Sequence, residues 1–264
     1  FIIFHIRANA FLLNMIRIIV GTLIQVGTKD ISVPQFKRII QSKKRSLAGK
    51  TVEPKGLYFY GPEYNTFQYE INECFIDELA HKSEIDPIQL RLNHLKNRSR
   101  SIKVIQRVSD ESRWGSILPK NHFQGFAYHN SFGTHVAQVV EVSIVDNQIK
   151  VHKVFCSVDC GQTVNPMTIR AQIQGSIIFG MGATLYSEMT VKDGRVKENN
   201  FDDYPVVRFD ESPQIEVFIL ENNEKPGGVG EPGLPPIAPA IANAVFAASG
   251  KRIRKLPILS KDFS

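Results

Sequence analysis

The stretch PGGVGEPGLPP, residues 226–236, constrains the fold of this 264-residue chain more than any other, because it combines four glycines with four prolines. Gly228 to Gly233 match the spacing G-x-G-x-x-G, which is typical of a dinucleotide-binding loop. In that fold a strand leads directly into the first glycine, whereas here ENNEK separates Leu220 from Pro226. Nor does an acidic residue follow about twenty positions later, as a ribose-binding residue would. The sequence therefore argues against a nucleotide-binding loop.

The same stretch holds one acidic residue, Glu231, just ahead of the apolar segment IAPAIANAVFAASG. Glycines let another group approach the backbone closely, and prolines restrict the chain so that the carboxylate takes one position. This arrangement suits a positioned general base. The alternative is an exposed acid in a turn, which is the ordinary interpretation of a single glutamate.

The charge of the chain is distributed unevenly. Residues 1–64 hold ten Lys and Arg residues against three acidic residues, whereas the rest of the chain carries 22 basic and 23 acidic residues. Such asymmetry indicates two units with different partners, and the basic unit is a candidate for contact with nucleic acid. A solvated basic surface is the alternative. We therefore predict two domains, residues 1–64 and 65–264.

Composition places the chain among ordinary globular proteins, with 42% hydrophobic and 22% charged residues. The longest apolar run is interrupted by Arg17, Gly21 and Gln25, so no membrane span is expected. The chain starts at Phe1 in strand-like alternation, which suggests a missing N-terminus, and no compartment is predicted. Three cysteines without a C-x-x-C pair favour reduced thiols over a disulfide framework or a zinc site.

The first unit is predicted to contain a strand, two helices and a basic loop. The strand covers residues 1–7, and a helix begins after Asn9 and ends near Val26. Ser32 and Gln35 have the spacing of a capping box that starts a second, short helix. In the following segment, SKKRSLAGKTVEPKG, five cations accompany one acid. A glycine-containing basic loop suits phosphate contact, and a solvated loop is the equal alternative.

The segments ANAFLLNMIRIIVGTLIQVG and KKRSLAGKTVEPKGLYF resemble the C-terminal end of the tRNA pseudouridine synthase family, over roughly residues 1–60. The resemblance implies that Arg17 occupies the position beside the family's catalytic aspartate. The segment that carries this aspartate, of the type GRTDAGVHA, does not occur here, so we expect no pseudouridine synthase activity. Lys43, Lys44 and Arg45 are the residues expected to contact tRNA.

From residue 65 the pattern predicts helices first and then strands. Ile71, Phe75 and Leu79 have the spacing of one apolar helical face. Asp86 and Pro87 have the residue types of an N-cap and a first helical position. The basic segment that follows, NRSRSIKVIQRVSDESRWG, is predicted to be loosely ordered in its first part.

Strand-like runs dominate the next part of the chain. Asp146-Asn147 and Asp193-Gly194 are typical hairpin turns, and PQIEVFIL is a predicted strand. Between the hairpins, Asn165-Pro166 predicts the start of a helix. This helix contains Gly175, Gly180 and Gly182, which favour close packing against a backbone or a large ligand, and core packing alone is the equal alternative. The predicted fold class is α+β.

Four segments of this second part resemble the molybdopterin-binding subunit of the xanthine dehydrogenase and aldehyde oxidase family, of the isoquinoline 1-oxidoreductase beta-subunit type. They are NECFIDELAHKSEIDPIQLRL, SFGTHVAQVVEVSI, VDCGQTVNPMTIRAQIQGSIIFGMGATLYSE and GGVGEPGLPPIAPAIANAVFAASGKRIRKLPI. The resemblance implies hydroxylation of an N-heterocycle or aldehyde carbon by a molybdenum cofactor.

The resemblance also assigns roles to individual residues. Glu231 matches the catalytic general base of the family. Gln172 matches a glutamine that hydrogen-bonds the pterin. Phe132, Gly133, Thr134 and Gly230 are expected along the cofactor.

Cofactors and partners follow from the same resemblance. The molybdopterin cofactor, as a dinucleotide, holds its metal through the pterin, so no cluster of protein ligands to the metal is expected. Electrons are expected to leave through 2Fe–2S clusters on a separate small subunit. The family's upstream segments, which build the other side of the cofactor site, do not occur in this sequence, and weak cofactor binding is expected. The alternatives left open are an RNA-binding protein and an inactive fusion of two fragments.

Overall fold

The computed structural model describes residues 15–42, 44–50, 65–95, 97–200 and 202–263. The chain divides into two compact units, Phe1–Asn65 and Thr66–Ser264, which are described separately below. Of the helices that the structure describes, none combines the length and hydropathy that crossing a membrane requires.

The first unit contains two α-helices, α1 (Met15–Gly27) and α2 (Val33–Ser42), and a short 3-10 helix at Arg45–Leu47. The predicted capping box is confirmed, because the backbone N–H of Ser32 donates to Gln35 Oε1 at 2.7 Å and the N–H of Gln35 donates to Ser32 Oγ at 3.4 Å. The predicted strand at residues 1–7 and the predicted cap at residue 9 lie outside the described residues.

From residue 65 onward, three helices are followed by three strands, one helix, three further strands and a last helix. The elements are α3 (Asn65–Lys82), α4 (Pro87–His94), α5 (Ser99–Glu111), β1 (His122–Ser131), β2 (Thr134–Val145), β3 (Gln148–Asp159), α6 (Pro166–Leu185), β4 (Val191–Lys192), β5 (Arg195–Val196), β6 (Gln214–Ile219) and α7 (Ile237–Ser249). The fold is therefore a mixed helix and strand architecture.

One four-stranded sheet organises the second unit, in the order β1-β2-β3-β6. Strands β1, β2 and β3 are antiparallel neighbours, and β6 pairs with β3 in parallel. The hairpin predicted at Asp146-Asn147 is confirmed, since both residues have the positive φ that a tight β-hairpin turn requires. The hairpin at Asp193-Gly194 is confirmed as the β4–β5 connection.

Helices cover both faces of this sheet. Helices α6 and α7 pack on the face that carries Val136 and Val140, and α5 packs on the face that carries Ala137 and Val139. Strand β2 is therefore buried on both sides, along nearly its whole length. The site described below lies where α6, the β1–β2 turn and the loop before α7 meet.

Local capping signals predicted the helix starts correctly. Asp86 Oδ1 accepts hydrogen bonds from the N–H groups of Ile88 and Gln89, and Pro87 occupies the first position of α4. Asn165 caps α6 in the same way, followed by Pro166. Such caps succeed as sequence signals because donor and acceptor lie within three residues of each other.

The apolar face predicted for α3 is wrong. Phe75 and Leu79 are exposed, and the side that faces the protein carries two buried acids instead. Each acid pairs with an arginine from elsewhere in the second unit, so burial of the charge is compensated. The pairs are Glu73–Arg91 at 3.0 Å and Asp77–Arg252 at 2.6 Å.

The loosely ordered segment predicted after α4 is also wrong. Residues Ser99–Glu111 form α5, and its buried side consists of Ser101, Val104, Ile105 and Val108. Four apolar residues among nine polar or charged ones make a weak sequence signal. The helix is stabilised by packing against β2 and β3, which the local sequence does not encode.

Close packing of α7 on β1 generates a stability prediction. A Cβ built on Gly125 would lie 2.1 Å from the carbonyl oxygen of Ala240 and 2.2 Å from the backbone nitrogen of Ala244. Gly125→Ala is therefore expected to lower the free energy of unfolding by about 1–3 kcal/mol, measured by urea denaturation. Gly175→Ala is the control, because its Cβ would meet no atom within 4 Å. Equal stability of Gly125→Ala and the parent chain would contradict this packing.

Candidate functional site

The loop between β6 and α7 places Glu231 on a tight turn. The N–H of Leu234 donates to the carbonyl oxygen of Glu231 at 2.9 Å and closes this turn. Inside it, a Cβ on Gly233 would lie 2.3 Å from Ser176 Oγ, so only glycine fits against α6. The Glu231 side chain itself is exposed, and no described residue hydrogen-bonds its carboxylate. The carboxylate is thus free to meet a ligand.

Gln172 lies beside this loop. It projects from α6 and is exposed, and a Cβ built on Gly230 would lie 4.0 Å from Gln172 Nε2. The structure therefore brings Gly230, the residue next to Glu231, close to Gln172. These residues are separated by about sixty positions in the sequence, and only the seating of the loop on α6 makes them neighbours.

The β1–β2 turn contributes the next predicted residues, Phe132 and Gly133. Both have positive φ, 54° and 76°. Positive φ is unusual for a bulky residue such as phenylalanine and marks local backbone strain. The Phe132 side chain is nevertheless 66% exposed. An exposed aromatic ring on a strained turn suits contact with a ligand or another protein surface.

The glycine loop is held against this turn by two hydrogen bonds. The N–H of Gly228 donates to the carbonyl oxygen of Phe132 at 2.9 Å, and Thr134 Oγ1 donates to the carbonyl oxygen of Gly228 at 2.8 Å. A Cβ on Gly227 would lie 2.5 Å from Thr134 Oγ1. Thr134 is fully buried, so its hydroxyl supports the loop, while Phe132 presents the exposed surface.

A buried carboxylate, Asp159, connects the segments around the site. Arg100 binds both of its oxygens, at 2.6 and 3.0 Å, and Asn222 Nδ2 and the N–H of Gly161 donate to Oδ1 at 2.7 and 3.0 Å. Arg100 Nη2 also donates to the carbonyl oxygen of Gly133 at 3.1 Å. The β1–β2 turn, the β3–α6 loop and the loop before α7 therefore share one ion pair.

The electrostatics of Asp159 reflect two opposing effects. Burial raises the pKa of its carboxyl, and the hydrogen bonds from Arg100, Gly161 and Asn222, together with the charge of Arg100, lower it. The hydrogen bonds and the charge prevail, so the pKa of Asp159 lies below its usual value. The carboxylate is ionised throughout the neutral range.

The three cysteines form no disulfide in the described part of the chain. Burial raises the pKa of Cys156 to about 12 and also raises the pKa of Cys160. Neither is a reactive thiolate at neutral pH. Within the described ranges, no three His, Cys, Asp or Glu side chains are grouped so as to hold a metal ion.

The residues predicted to contact tRNA belong to the first unit. Arg17 lies in α1, and its side chain is outside the described part of the chain. Lys43 is likewise outside the described residues. Lys44 and Arg45 are exposed at the start of the 3-10 helix.

Sequence reasoning missed Arg100, Asp159 and Asn222. Arg100 lies in the segment predicted to be loosely ordered, which concealed it. Asp159 ends a buried strand directly before a loop, and a polar residue at that position is a usable sequence signal. Asn222 lies in ENNEK, a segment interpreted only as a spacer between Leu220 and Pro226.

Comparison with known proteins identifies the family. The model of the molybdopterin cofactor-binding domain matches residues 29–213, a range that includes Gln172 and the β1–β2 turn and ends before Glu231. The beta chain of isoquinoline 1-oxidoreductase from Brevundimonas diminuta is 35% identical over 191 residues, 70% of this chain and 24% of that protein. A nicotinate dehydrogenase component from Pseudomonas putida is 32% identical over 213 residues, 72% of this chain and 18% of that protein.

A solved structure shares the fold. The aldehyde oxidoreductase from Desulfovibrio gigas matches with a TM-score of 0.55 at 13% sequence identity, over 74% of this chain and 40% of that one. The chain spans about a quarter or less of the length of the two curated relatives.

The ion pair at Asp159 predicts a pH-dependent contribution to stability. At neutral pH, Asp159→Asn is expected to lower the free energy of unfolding by about 1.5–3 kcal/mol, because charged hydrogen bonds are lost. Since the folded pKa lies below the unfolded value of about 3.9, this difference is fully present above that value. It disappears as the pH falls through the folded pKa.

Urea titrations from pH 7 down to pH 2 measure this difference, with the exposed Asp202→Asn as the matched control. A difference between Asp159→Asn and the parent that stays constant over this range would contradict the assignment.

Proposed function

Because the chain belongs to the molybdopterin cofactor-binding family of xanthine dehydrogenases and aldehyde oxidases, we propose that it forms part of a molybdenum-cofactor-dependent oxidoreductase. The reaction is the hydroxylation of an electron-poor carbon in an N-heterocycle or an aldehyde. The observation that carries this proposal is the seating of the Glu231 turn on α6, next to Gln172. The relatives named for isoquinoline and nicotinate favour an N-heterocycle as the substrate class.

The described residues fit a large pterin ligand. Gln172 offers an exposed amide that both donates and accepts hydrogen bonds. Gly230 is exposed and leaves room for a ligand to approach the backbone, and Phe132 offers an aromatic surface. We assign these three residues to cofactor contact, with Gly133 and Thr134 shaping the turn, and we take the cofactor to be the dinucleotide form.

Glu231 acts in this proposal as the general base. Hydroxylation replaces a C–H bond by C–OH, with the oxygen drawn from water, and releases two protons and two electrons. The bound molybdenum cofactor would supply the two-electron redox chemistry. Glu231 would accept one of the protons on a carboxylate oxygen. Its exposed position on a rigid turn gives it access to the reacting group.

The electrons need a route away from the site. We propose a separate small subunit with 2Fe–2S clusters as the acceptor, as the resemblance implies. Because the chain spans about a quarter or less of the two curated relatives, we also propose that further segments complete the cofactor site. Activity is therefore expected from the assembled enzyme.

Glu231→Gln tests the role of the base. In an enzyme assembled from this chain, the complementing segments, the cofactor and the iron–sulfur subunit, the substitution is expected to lower kcat by about 100-fold or more. Cofactor content, measured by metal analysis, should be unchanged. The control is Glu221→Gln, which alters an exposed glutamate of the same loop. Turnover equal to that of the parent would remove Glu231 from the mechanism.

The basic first unit supports a second candidate function. We propose that residues 1–60 derive from a tRNA pseudouridine synthase and retain RNA contact without isomerase activity. The excess of basic residues in positions 1–64 and the exposure of Lys44 and Arg45 support this assignment. The competing explanation is an inactive fusion of two fragments. Sequencing the transcript across codons 55–70 tests whether one reading frame spans both parts.

If the first unit contacts RNA, tRNA binding should weaken steeply with salt. Replacing Lys43, Lys44 and Arg45 by glutamine should flatten the dependence of log K on log salt by about one unit per lost phosphate contact. The matched control replaces three exposed cations of the second unit, Lys150, Lys192 and Arg195. Fluorescence anisotropy at several salt concentrations provides the measurement, and an unchanged slope in the first variant would count against RNA contact.

A further inference from the structure

A glutamine lies within the apolar core, directly beneath the Glu231 turn. Gln138 occupies β2 between Val136 and Val140, on the face that packs against α6 and α7, and it is fully buried. Its neighbour across the sheet is Cys156, which is also buried. A buried amide loses its hydration, so an apolar side chain would pack here at lower cost. The presence of glutamine needs a reason.

The amide nitrogen, Nε2, explains why a glutamine lies here. Gln138 Nε2 donates to the carbonyl oxygen of Gly233 at 2.8 Å. Gly233 lies inside the turn that Leu234 closes on Glu231, only two residues from the carboxylate. The hydrogen bond therefore joins the central strand of the sheet to the turn that carries the proposed base.

The amide oxygen, Oε1, lowers the stability of the fold. Gln138 Oε1 is buried and has no hydrogen-bond partner among the described residues. An unsatisfied buried acceptor disfavours folding. Gln138 Oε1 thus remains unpaired in the core while Nε2 binds the Gly233 carbonyl oxygen. This indicates that fixing the position of the turn outweighs the folding free energy lost at Oε1.

Two contacts define the position of Gly233. On one side its Cα approaches Ser176 and Ile173 of α6 so closely that a side chain would not fit. On the other side Gln138 binds its carbonyl oxygen. Val136 and Val140 carry no donor, so neither can replace the amide. Without Gln138, the turn keeps its contact with α6 and loses its link to the sheet.

We propose that Gln138 is a positioning residue for Glu231. Its hydrogen bond to the Gly233 carbonyl oxygen orients the turn so that the Glu231 carboxylate stays close to Gln172. This inference rests on the proposed function for its catalytic consequence, whereas its structural part can be tested on the chain alone. Gln138 Nε2 also donates a long hydrogen bond to Cys156 Sγ at 3.8 Å within the sheet, and its link to the turn is the hydrogen bond to the Gly233 carbonyl oxygen.

Hydrogen exchange on the 264-residue chain provides the first test. Gln138→Met preserves the approximate volume and removes the donor. The Leu234 amide is expected to exchange about tenfold faster or more, because the turn opens locally once the hydrogen bond is lost. The Gly227 amide, bonded to the carbonyl oxygen of Cys160 at 2.8 Å, should keep its exchange rate. Unchanged exchange of Leu234 would overturn the proposal.

The matched control is Gln174→Met. Gln174 is exposed on α6, and its Nε2 donates to the carbonyl oxygen of Ile215 at 3.4 Å. The same chemical change at this position should leave the Leu234 amide unaffected. If both variants accelerate its exchange equally, the effect is general destabilisation and the proposal fails.

Gln138→Glu provides a second variant with a pH readout. A buried carboxyl is held in its protonated form, because burial raises its pKa. The protonated acid can donate to the Gly233 carbonyl oxygen in place of the amide. Exchange of Leu234 relative to the parent at the same pH should therefore be normal at low pH and faster at high pH. If Gln138→Met does not fold, this comparison decides the question, and a ratio that does not vary with pH overturns the proposal.

Kinetics in the assembled enzyme separate this inference from the proposed function. Gln138→Met should lower kcat at least about tenfold with KM unchanged, because the base is displaced while the substrate surface is intact. If Glu231→Gln abolishes turnover and Gln138→Met has the parent's kcat, only the positioning proposal fails. If Glu231→Gln is fully active, the assignment of Glu231 as the general base fails, and the exchange experiments alone decide whether Gln138 positions the turn.

Discussion

The ion pair between Arg100 and Asp159 is the interaction on which the site depends. Three of the segments that meet there are loops or turns, and loops have many accessible conformations unless something restrains them. One carboxylate collects donors from α5, from the β3–α6 loop and from the loop before α7, and its arginine partner also binds the β1–β2 turn. A charged group is effective here because, once buried, it tolerates no arrangement that leaves it unpaired.

Glycine has a packing role in this site. A Cβ on Gly227 would collide with Thr134, and a Cβ on Gly233 would collide with Ser176. Because both residues are glycines, the loop backbone can pack directly against the β1–β2 turn and α6. Of the three glycines in the G-x-G-x-x-G pattern, Gly233 thus reflects a contact within the protein. The remaining requirements of a nucleotide loop are missing. Glu231 is exposed, whereas Pro232 and Gly233, the two residues that follow it in the turn, are buried.

Secondary structure was predictable where the signal is local. The caps at Asp86 and Asn165 and the turn at Asp146-Asn147 involve residues within a few positions of each other, and the structure has them as predicted. Prediction failed where the deciding partner is distant. The inward side of α3 carries Glu73, which is acceptable in the interior only because Arg91 pairs with it. Similarly, α5 is a helix because the sheet covers its few apolar residues.

The sequence by itself determined the family and the identity of Glu231 and Gln172 as candidates, because these depend on motifs that can be recognised from the order of residues alone. Tertiary structure alone decided that Gly230, next to Glu231, lies near Gln172 and that Thr134 supports the loop from a buried position. It also decided that Arg100, Asp159 and Gln138 link the segments of the site. The physical reason is that a hydrogen bond or an ion pair acts over about 3 Å, whereas its partners here lie 59 and 95 residues apart in the chain.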